Sequence, residues 1–232
     1  YRLRYSEDRI RLLDFERSAG QVFDPKRSVI TDDRLLLGAR NKNVTYLTNT
    51  EGSVTAFVQE GALWTYTQNN GKFAQVFDFR KAAKGDFRDS HTEHDIKLLS
   101  VEDDGDVNFM VYGYMNRGSH EGYCGAGIYH YNHDQNVVEE KVFIPTTESF
   151  EFLKSDLGTL SYVNKKNQLF LLLSGSLYQI NIDDSDYKVL AENIDSNQFA
   201  VSETNAHAAW RIVDGEQTGQ IEYIDFDSLK TR

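Results

Sequence analysis

The stretch Gly61-Ala62-Leu63-Trp64-Thr65-Tyr66 introduces a phrase that recurs along the chain: a small residue, any residue, Leu or Ile, a large or long side chain, any residue, then Tyr or Ile. Later copies lie at residues 126–131, 175–180 and 219–224. The Leu or Ile positions are separated by 65, 49 and 44 residues. Propeller blades repeat with a period of about 40–50 residues. The spacing therefore predicts repeated β-sheet units, with an insertion in the first interval.

Strand and turn signals between these copies define the units. The Asn69-Asn70-Gly71 turn between alternating apolar residues is a strong hairpin signal, since Asn and Gly accept positive φ. Alternation and turns together predict four-stranded units at about residues 44–79, 95–145, 158–191 and 198–226. The continuous apolar run at residues 169–173 predicts a strand that is buried on both faces, as expected for a strand between neighbouring blades.

The predicted fold is all-β and propeller-like, with four to five blade-like four-stranded units in a single domain over residues 1–232. A propeller hides its sheet edges by closing into a ring. Residues 1–43 are predicted to supply a closing strand or a partial blade, with a strand favoured near residues 9–15. The alternative left open is that the chain forms a section of a larger ring.

The repeated phrase resembles one found in bacterial propeller families, in which each blade contains Gly-x-Leu-Trp/Tyr-x-Tyr, as in TolB-like and quinoprotein-like repeats. The resemblance covers residues 44–226 and rests on degenerate positions. It implies architecture and no activity, because no quinone-site, peptidase or glycosidase residue can be carried over. The Asp-box and Trp-Asp blade endings of other propeller families are absent from the sequence.

Charge and composition exclude several function classes. The formal net charge of -11 removes the usual electrostatic attraction to nucleic acid and to anionic lipid. The longest strongly apolar run is five residues, against about 20 needed to span a bilayer, so we expect no membrane insertion by this segment. Cys124 is the single cysteine, which rules out an internal disulfide. Because the sequence begins with Tyr1, we expect that a preceding segment was removed, which favours an extracellular or cell-envelope location over the cytoplasm.

The insertion at residues 114–125 is the predicted binding surface. Other units need only a tight turn there, and loops longer than the structural minimum often carry binding residues. The candidate binding residues are Asn116, Arg117, His120, Glu121 and Tyr123. As surface-loop changes usually alter stability by within about ±0.5 kcal/mol, Ala at Arg117, His120 or Glu121 is expected to leave stability nearly unchanged.

Five of the six histidines lie within residues 91–133. His91, His94 and His120 are weak metal-ligand candidates, since imidazole suits zinc if the two loops share one rim. Their His-x-x-His spacing in a loop lacks the helical geometry of a zinc protease motif, so no metal site and no cofactor are predicted.

The sequence thus predicts a non-catalytic binding or scaffolding domain of an exported or membrane-tethered bacterial protein, recognising a protein or glycan partner through rim loops. One alternative is a carbohydrate-active hydrolase, which needs two carboxylates about 5–10 Å apart at the propeller mouth. The other is an extracytoplasmic sensor domain.

Overall fold

The computed structural model describes residues 2–6, 9–14, 23–26, 30–31, 34–37, 44–80, 86–213, 215 and 218–231. The chain divides into two compact units, Tyr1–Val44 and Thr45–Arg232. None of the helices formed by these described residues is both long enough and apolar enough to cross a bilayer.

In the part of the first unit that the structure describes, the strands form two antiparallel pairs. Strand β1 (Arg2–Ser6) pairs with β2 (Arg9–Asp14), and β3 (Ile30–Thr31) pairs with β4 (Arg34–Leu35). Strand β2 confirms the strand predicted near residues 9–15. Many positions between residues 15 and 43 lie outside the described residues, so a closing strand or partial blade in this segment stays a prediction.

The described residues of the second unit form four four-stranded antiparallel sheets, which we term blades 1 to 4 in chain order. Blade 1 contains β5 (Tyr46–Thr48), β6 (Val54–Gln59), β7 (Ala62–Thr67) and β8 (Lys72–Phe77), and blade 2 contains β9 (His94–Val101), β10 (Val107–Tyr114), β11 (Cys124–Asn132) and β12 (Val137–Pro145). Blade 3 contains β13 (Ser161–Val163), β14 (Gln168–Leu173), β15 (Ser176–Asn181) and β16 (Asp186–Ala191), and blade 4 contains β17 (Phe199–Val201), β18 (His207–Arg211), β19 (Ile221–Asp225) and β20 (Lys230–Thr231). Each strand pairs with the next along the chain, which confirms the predicted all-β, blade-like class.

Three details were not predicted. The α-helix α1 (Phe150–Thr159) joins blades 2 and 3, and short 3₁₀ helices lie at Phe87–Ser90 and Ser196–Gln198. Blade 4 extends beyond the predicted limit at residue 226, because its fourth strand is β20.

The blades pack on one another in chain order. Successive side chains of a strand point to opposite faces, so an inner strand can pack against the blade on either side. In β10, Phe109 and Val111 lie in a core shared with blade 1. Met110 and Tyr112 lie in a core shared with blade 3 and with Leu153 and Leu157 of α1. Strand β10 therefore contributes to the packing on both sides of blade 2.

Strand β14 repeats this arrangement one blade further on. Leu169, Leu171 and Leu173 lie in the core shared with blade 2, whereas Phe170 and Leu172 lie in the core shared with blade 4. All five side chains are almost completely buried. This confirms the prediction that residues 169–173 are buried on both faces.

Because the strands of blade 2 are antiparallel, three of its connecting segments lie at the same end of the sheet. Strand β10 ends and β11 begins there, so the predicted binding loop lies at this end. Because β9 begins and β12 ends at the same end, the segment before β9 and the segment leading to α1 lie there too. We term this end the upper rim of blade 2.

Candidate functional site

Arg117 is the buried centre of the loop between β10 and β11. Its side chain is only 9% exposed. Its Nε donates to the backbone oxygen of Phe79 at 2.5 Å, and its two terminal nitrogens bond Asp86 at 2.9 Å and Asp89 at 2.5 Å. The sequence prediction treated Arg117 as a surface-loop residue, and the structure shows this to be wrong. Arg117 fixes the loop to the exit from blade 1 and to the segment before β9.

Asp86 links Arg117 to a second arginine. Arg88 contacts the Asp86 carboxylate through Nε at 3.0 Å and through Nη2 at 2.7 Å. The Arg88 side-chain hydrogen bonds are the main reason why the pKa of Asp86 lies well below its ordinary value, and Arg117 adds to the effect. Arg88 also reaches both oxygens of Glu121 at 3.1 Å. Each carboxylate of this network, on Asp86, Asp89 and Glu121, is therefore hydrogen-bonded by an arginine.

Asn116 is a second structural anchor. It is almost fully buried, and its Nδ2 donates to the backbone oxygens of Arg88 at 2.9 Å and His91 at 3.1 Å. Its Oδ1 has no hydrogen-bond partner within the described part of the chain. Since Asn116 and Arg117 both bond the segment at residues 86–91, loop and segment form one connected surface.

His120 fixes the far side of the loop to the outer strand of blade 2. Its ring stacks on Phe143 with centroids 3.8 Å apart, and its Nε2 lies 2.7 Å from Glu140 Oε1. The other Glu140 oxygen accepts a hydrogen bond from the Tyr129 hydroxyl at 3.0 Å. Burial, with the Glu140 charge as a second cause, raises the pKa of Tyr129 well above its ordinary value, so this hydroxyl stays protonated as a donor.

The exposed part of this surface is aromatic. Tyr123 is 63% exposed at the end of the loop, and Phe87 is 76% exposed in the 3₁₀ helix that carries Arg88. Tyr123 is one of the binding residues predicted from the sequence, whereas Phe87 is not among them. Its signal in the sequence is a large apolar side chain between Asp86 and Arg88, where alternation gives no reason for burial.

A cleft of about 360 Å³ opens beside the stems of the same loop. Its lining residues come from the segment before β9, the loop stems and the start of α1: Thr92, Glu93, Tyr114, Cys124, Ser149, Phe150 and Glu151. Its size lies within the range of about 300–1,000 Å³ that is usual for ligand pockets. The two carboxylates, Glu93 and Glu151, suit a basic side chain, whereas the ring of Phe150 already lies under Lys154 Nζ at 5.8 Å. The sequence did not reveal this cleft, because its walls are up to 59 residues apart along the chain.

The three weak metal-ligand candidates have different surroundings. His94 packs edge-on against Phe79 at 4.6 Å, and burial lowers its pKa. His91 lies on Tyr114 with ring centroids 5.3 Å apart, and His120 bonds Glu140 as described above. Among the residues that the structure describes, no group of three or more His, Cys, Asp or Glu side chains is placed to hold a metal ion.

Fold and site together define a propeller-like stack of blades with a rigidly held rim loop. No family model matches the sequence, and no curated protein matches it. Among solved structures, it is similar to the extracellular domain of a protein described as a one-component system of B. thetaiotaomicron, with 13% identity over 79% of this chain and 21% of that chain and a TM-score of 0.39.

Two further structures are similar at the same level. The WD40 domain of SCAP from fission yeast has 10% identity over 83% of this chain and 42% of that chain, with a TM-score of 0.41. Dipeptidyl peptidase 4 of Porphyromonas gingivalis has 8% identity over 83% of this chain and 39% of that chain, with a TM-score of 0.32. The chain thus spans less than half the length of each of these structures. Likenesses this distant carry no argument about function.

Proposed function

We propose that the second unit is a non-catalytic binding domain whose upper rim on blade 2 recognises a basic protein partner. The observation that carries this proposal is the pairing of two exposed aromatic side chains, Phe87 and Tyr123, with a loop that Arg117 and Asn116 hold in place. Exposed aromatic residues are frequent hot spots of protein interfaces.

Rigidity of the loop supports recognition. Binding is weakened when a loop must be ordered on association, at a cost of about 0.5–1.5 kcal/mol for each immobilised side chain. Here the bonds from Arg117 to Asp86 and Asp89, and from Asn116 to two backbone oxygens, are present without a partner. The loop is therefore organised for binding before the partner arrives.

Charge supports a basic partner. The chain carries a net charge of -11, and Glu93 and Glu151 line the cleft beside the loop. Complementary charge accelerates association and suppresses binding of acidic proteins. A Lys or Arg side chain of the partner would enter the cleft, while its apolar residues would cover Tyr123 and Phe87.

The hydrolase alternative finds no support from Asp86 at this rim. A glycosidase needs a general acid with a raised pKa, whereas the pKa of Asp86 is lowered by Arg88. The sensor alternative is compatible with our proposal, because a sensor domain also acts by binding. We propose in addition that this domain acts in an extracellular or cell-envelope setting.

Peptide display tests the proposal directly. Panning a random peptide library on the chain should enrich peptides that combine Lys or Arg with aromatic residues. The Kd of a selected peptide should rise about tenfold or more in Tyr123→Ala or Phe87→Ala, the loss of a hot spot. Tyr46→Ala is the matched control, since Tyr46 is 64% exposed on blade 1. Failure to enrich any peptide, or equal affinity for Tyr123→Ala and Tyr46→Ala, would contradict the proposal.

A further inference from the structure

A second recess lies on blade 3, where the chemistry of one sheet face changes. On the face of blade 3 that packs on blade 4, β14 presents in turn Leu172, Phe170 and Gln168. On the same face, β15 presents Leu177, then Gln179 and Asn181. The apolar part is covered by blade 4, and the polar part opens into a groove of about 180 Å³.

Gln179 is the unusual residue in this groove. Its side chain is 5% exposed, and its Oε1 is buried without a hydrogen-bond partner. Leaving such a group unsatisfied costs about 1–3 kcal/mol, and native proteins nearly always satisfy it. A buried acceptor that lines an open groove therefore points to a donor supplied from outside the chain.

The neighbouring side chains indicate what kind of molecule supplies that donor. Gln168 uses its Oε1 to accept a hydrogen bond from Asn164 at 3.0 Å, which leaves its Nε2 to donate into the groove. The Asn181 Nδ2 donates to Asp184, which leaves the Asn181 Oδ1 as an acceptor.

Two charged residues, Asp186 and Lys188, and the aromatic ring of Tyr187 complete the lining. Lys188 lies opposite Gln179 across the strand pair, and Asp186 lies opposite Asn181. Asp186 and Lys188 carry opposite charges, and the Asp184 carboxylate beside the groove is bonded by Asn181 Nδ2, so the groove lining itself has no net charge. It offers donors and acceptors side by side to a neutral molecule.

We propose that this groove binds a single neutral sugar ring, such as the terminal hexopyranose of a glycan. Each sugar hydroxyl both donates and accepts, which matches an array of unpaired acceptors at Gln179 and Asn181 beside donors at Gln168 and Lys188. The volume is below the range of about 300–1,000 Å³ for larger ligands, which limits the occupant to one ring. The site lies on a different blade from the upper rim, and it does not depend on the proposed function.

Saturation-transfer NMR with methyl glycosides of glucose, galactose, mannose and N-acetylglucosamine tests the proposal. At least one glycoside should give a saturable signal with the unmodified chain. Gln179→Met keeps the side-chain length and removes the unpaired acceptor, so affinity should fall at least about tenfold while the unfolding midpoint stays equal or rises. Asp186→Asn changes an exposed groove residue with little risk to folding, and it should also weaken binding.

One control variant makes the outcome decisive. Asp134→Asn alters a carboxylate that is 92% exposed on blade 2 and should leave sugar binding unchanged. Absence of binding by every glycoside would overturn the proposal. Equal binding by Gln179→Met and the unmodified chain would overturn it as well, as would saturable binding of a neutral peptide in place of a sugar.

Discussion

Arg117 shows the difference between a residue's place in the sequence and its role in the fold. Its neighbours, Asn116 and Gly118, suggest a solvated loop, yet its acceptors on Phe79, Asp86 and Asp89 lie 28–38 residues earlier in the chain. No local pattern reveals such partners, because they depend on how blade 1 and blade 2 stack. The position of the candidate loop could be predicted from its excess length, but the division between anchoring and exposed residues could not.

At this scale we predict that Arg117→Ala lowers the unfolding midpoint measurably, in contrast to the near-neutral effect expected from the sequence. The substitution removes hydrogen bonds to Phe79, Asp86 and Asp89, leaving two carboxylates without their buried arginine. Arg117→Lys should restore only part of the loss, because an ammonium does not reproduce the planar guanidinium. Thermal unfolding followed by circular dichroism measures both variants.

Glu121→Ala is the control, because Glu121 is exposed in the same loop and bonds a single arginine. Its effect should fall within about ±0.5 kcal/mol, as usual for surface substitutions. If Arg117→Ala proved as mild as Glu121→Ala, the anchoring role of Arg117 would be wrong.

Secondary-structure elements were predicted well where period-two alternation was strong. Strands β9 and β10 follow clear alternation on either side of an Asp-Gly turn. Helix α1 was missed although Phe150, Leu153 and Leu157 recur at the helical spacing of i, i+3 and i+7. Strand β20 was missed because two residues carry no periodic signal, so its pairing with β19 depends on the turn before it.

Two glycines in different elements should respond oppositely to substitution by Ala. Gly158 is in the last turn of α1 with open space around its Cα, so Gly158→Ala should stabilise the protein by about 0.4–1 kcal/mol. Gly113 in β10 has a φ of +110°, and a Cβ there would lie 2.3 Å from the backbone oxygen of Glu93. Gly113→Ala should therefore destabilise by more than Gly158→Ala stabilises. Denaturant unfolding of both variants measures these changes, and a neutral Gly113→Ala would show that the β10–β9 geometry is incorrect.

At the scale of the second unit, apolar burial between blades stacked in chain order stabilises the structure. Three buried cores lie between successive blades, and β10 and β14 each contribute to two of them. The sequence allowed this to be predicted at residues 169–173, where apolar side chains occupy both faces. The sequence did not show whether the blades close into a ring or form a section of a larger one, since the two terminal blades follow the same alternation as the middle ones.

The stacking of blade 2 between blades 1 and 3 is tested most directly by the two methionines, which the structure places in different cores. In a methyl NOE experiment on chain labelled at the methionine methyl groups, Met110 should show contacts to leucine methyls of blade 3, such as Leu169 and Leu171. Met115 should instead show contacts within the core that blades 1 and 2 share, with Met115→Leu assigning the two signals. Contacts from Met110 to Leu63 of blade 1, or none to the blade 3 leucines, would contradict the stacked arrangement.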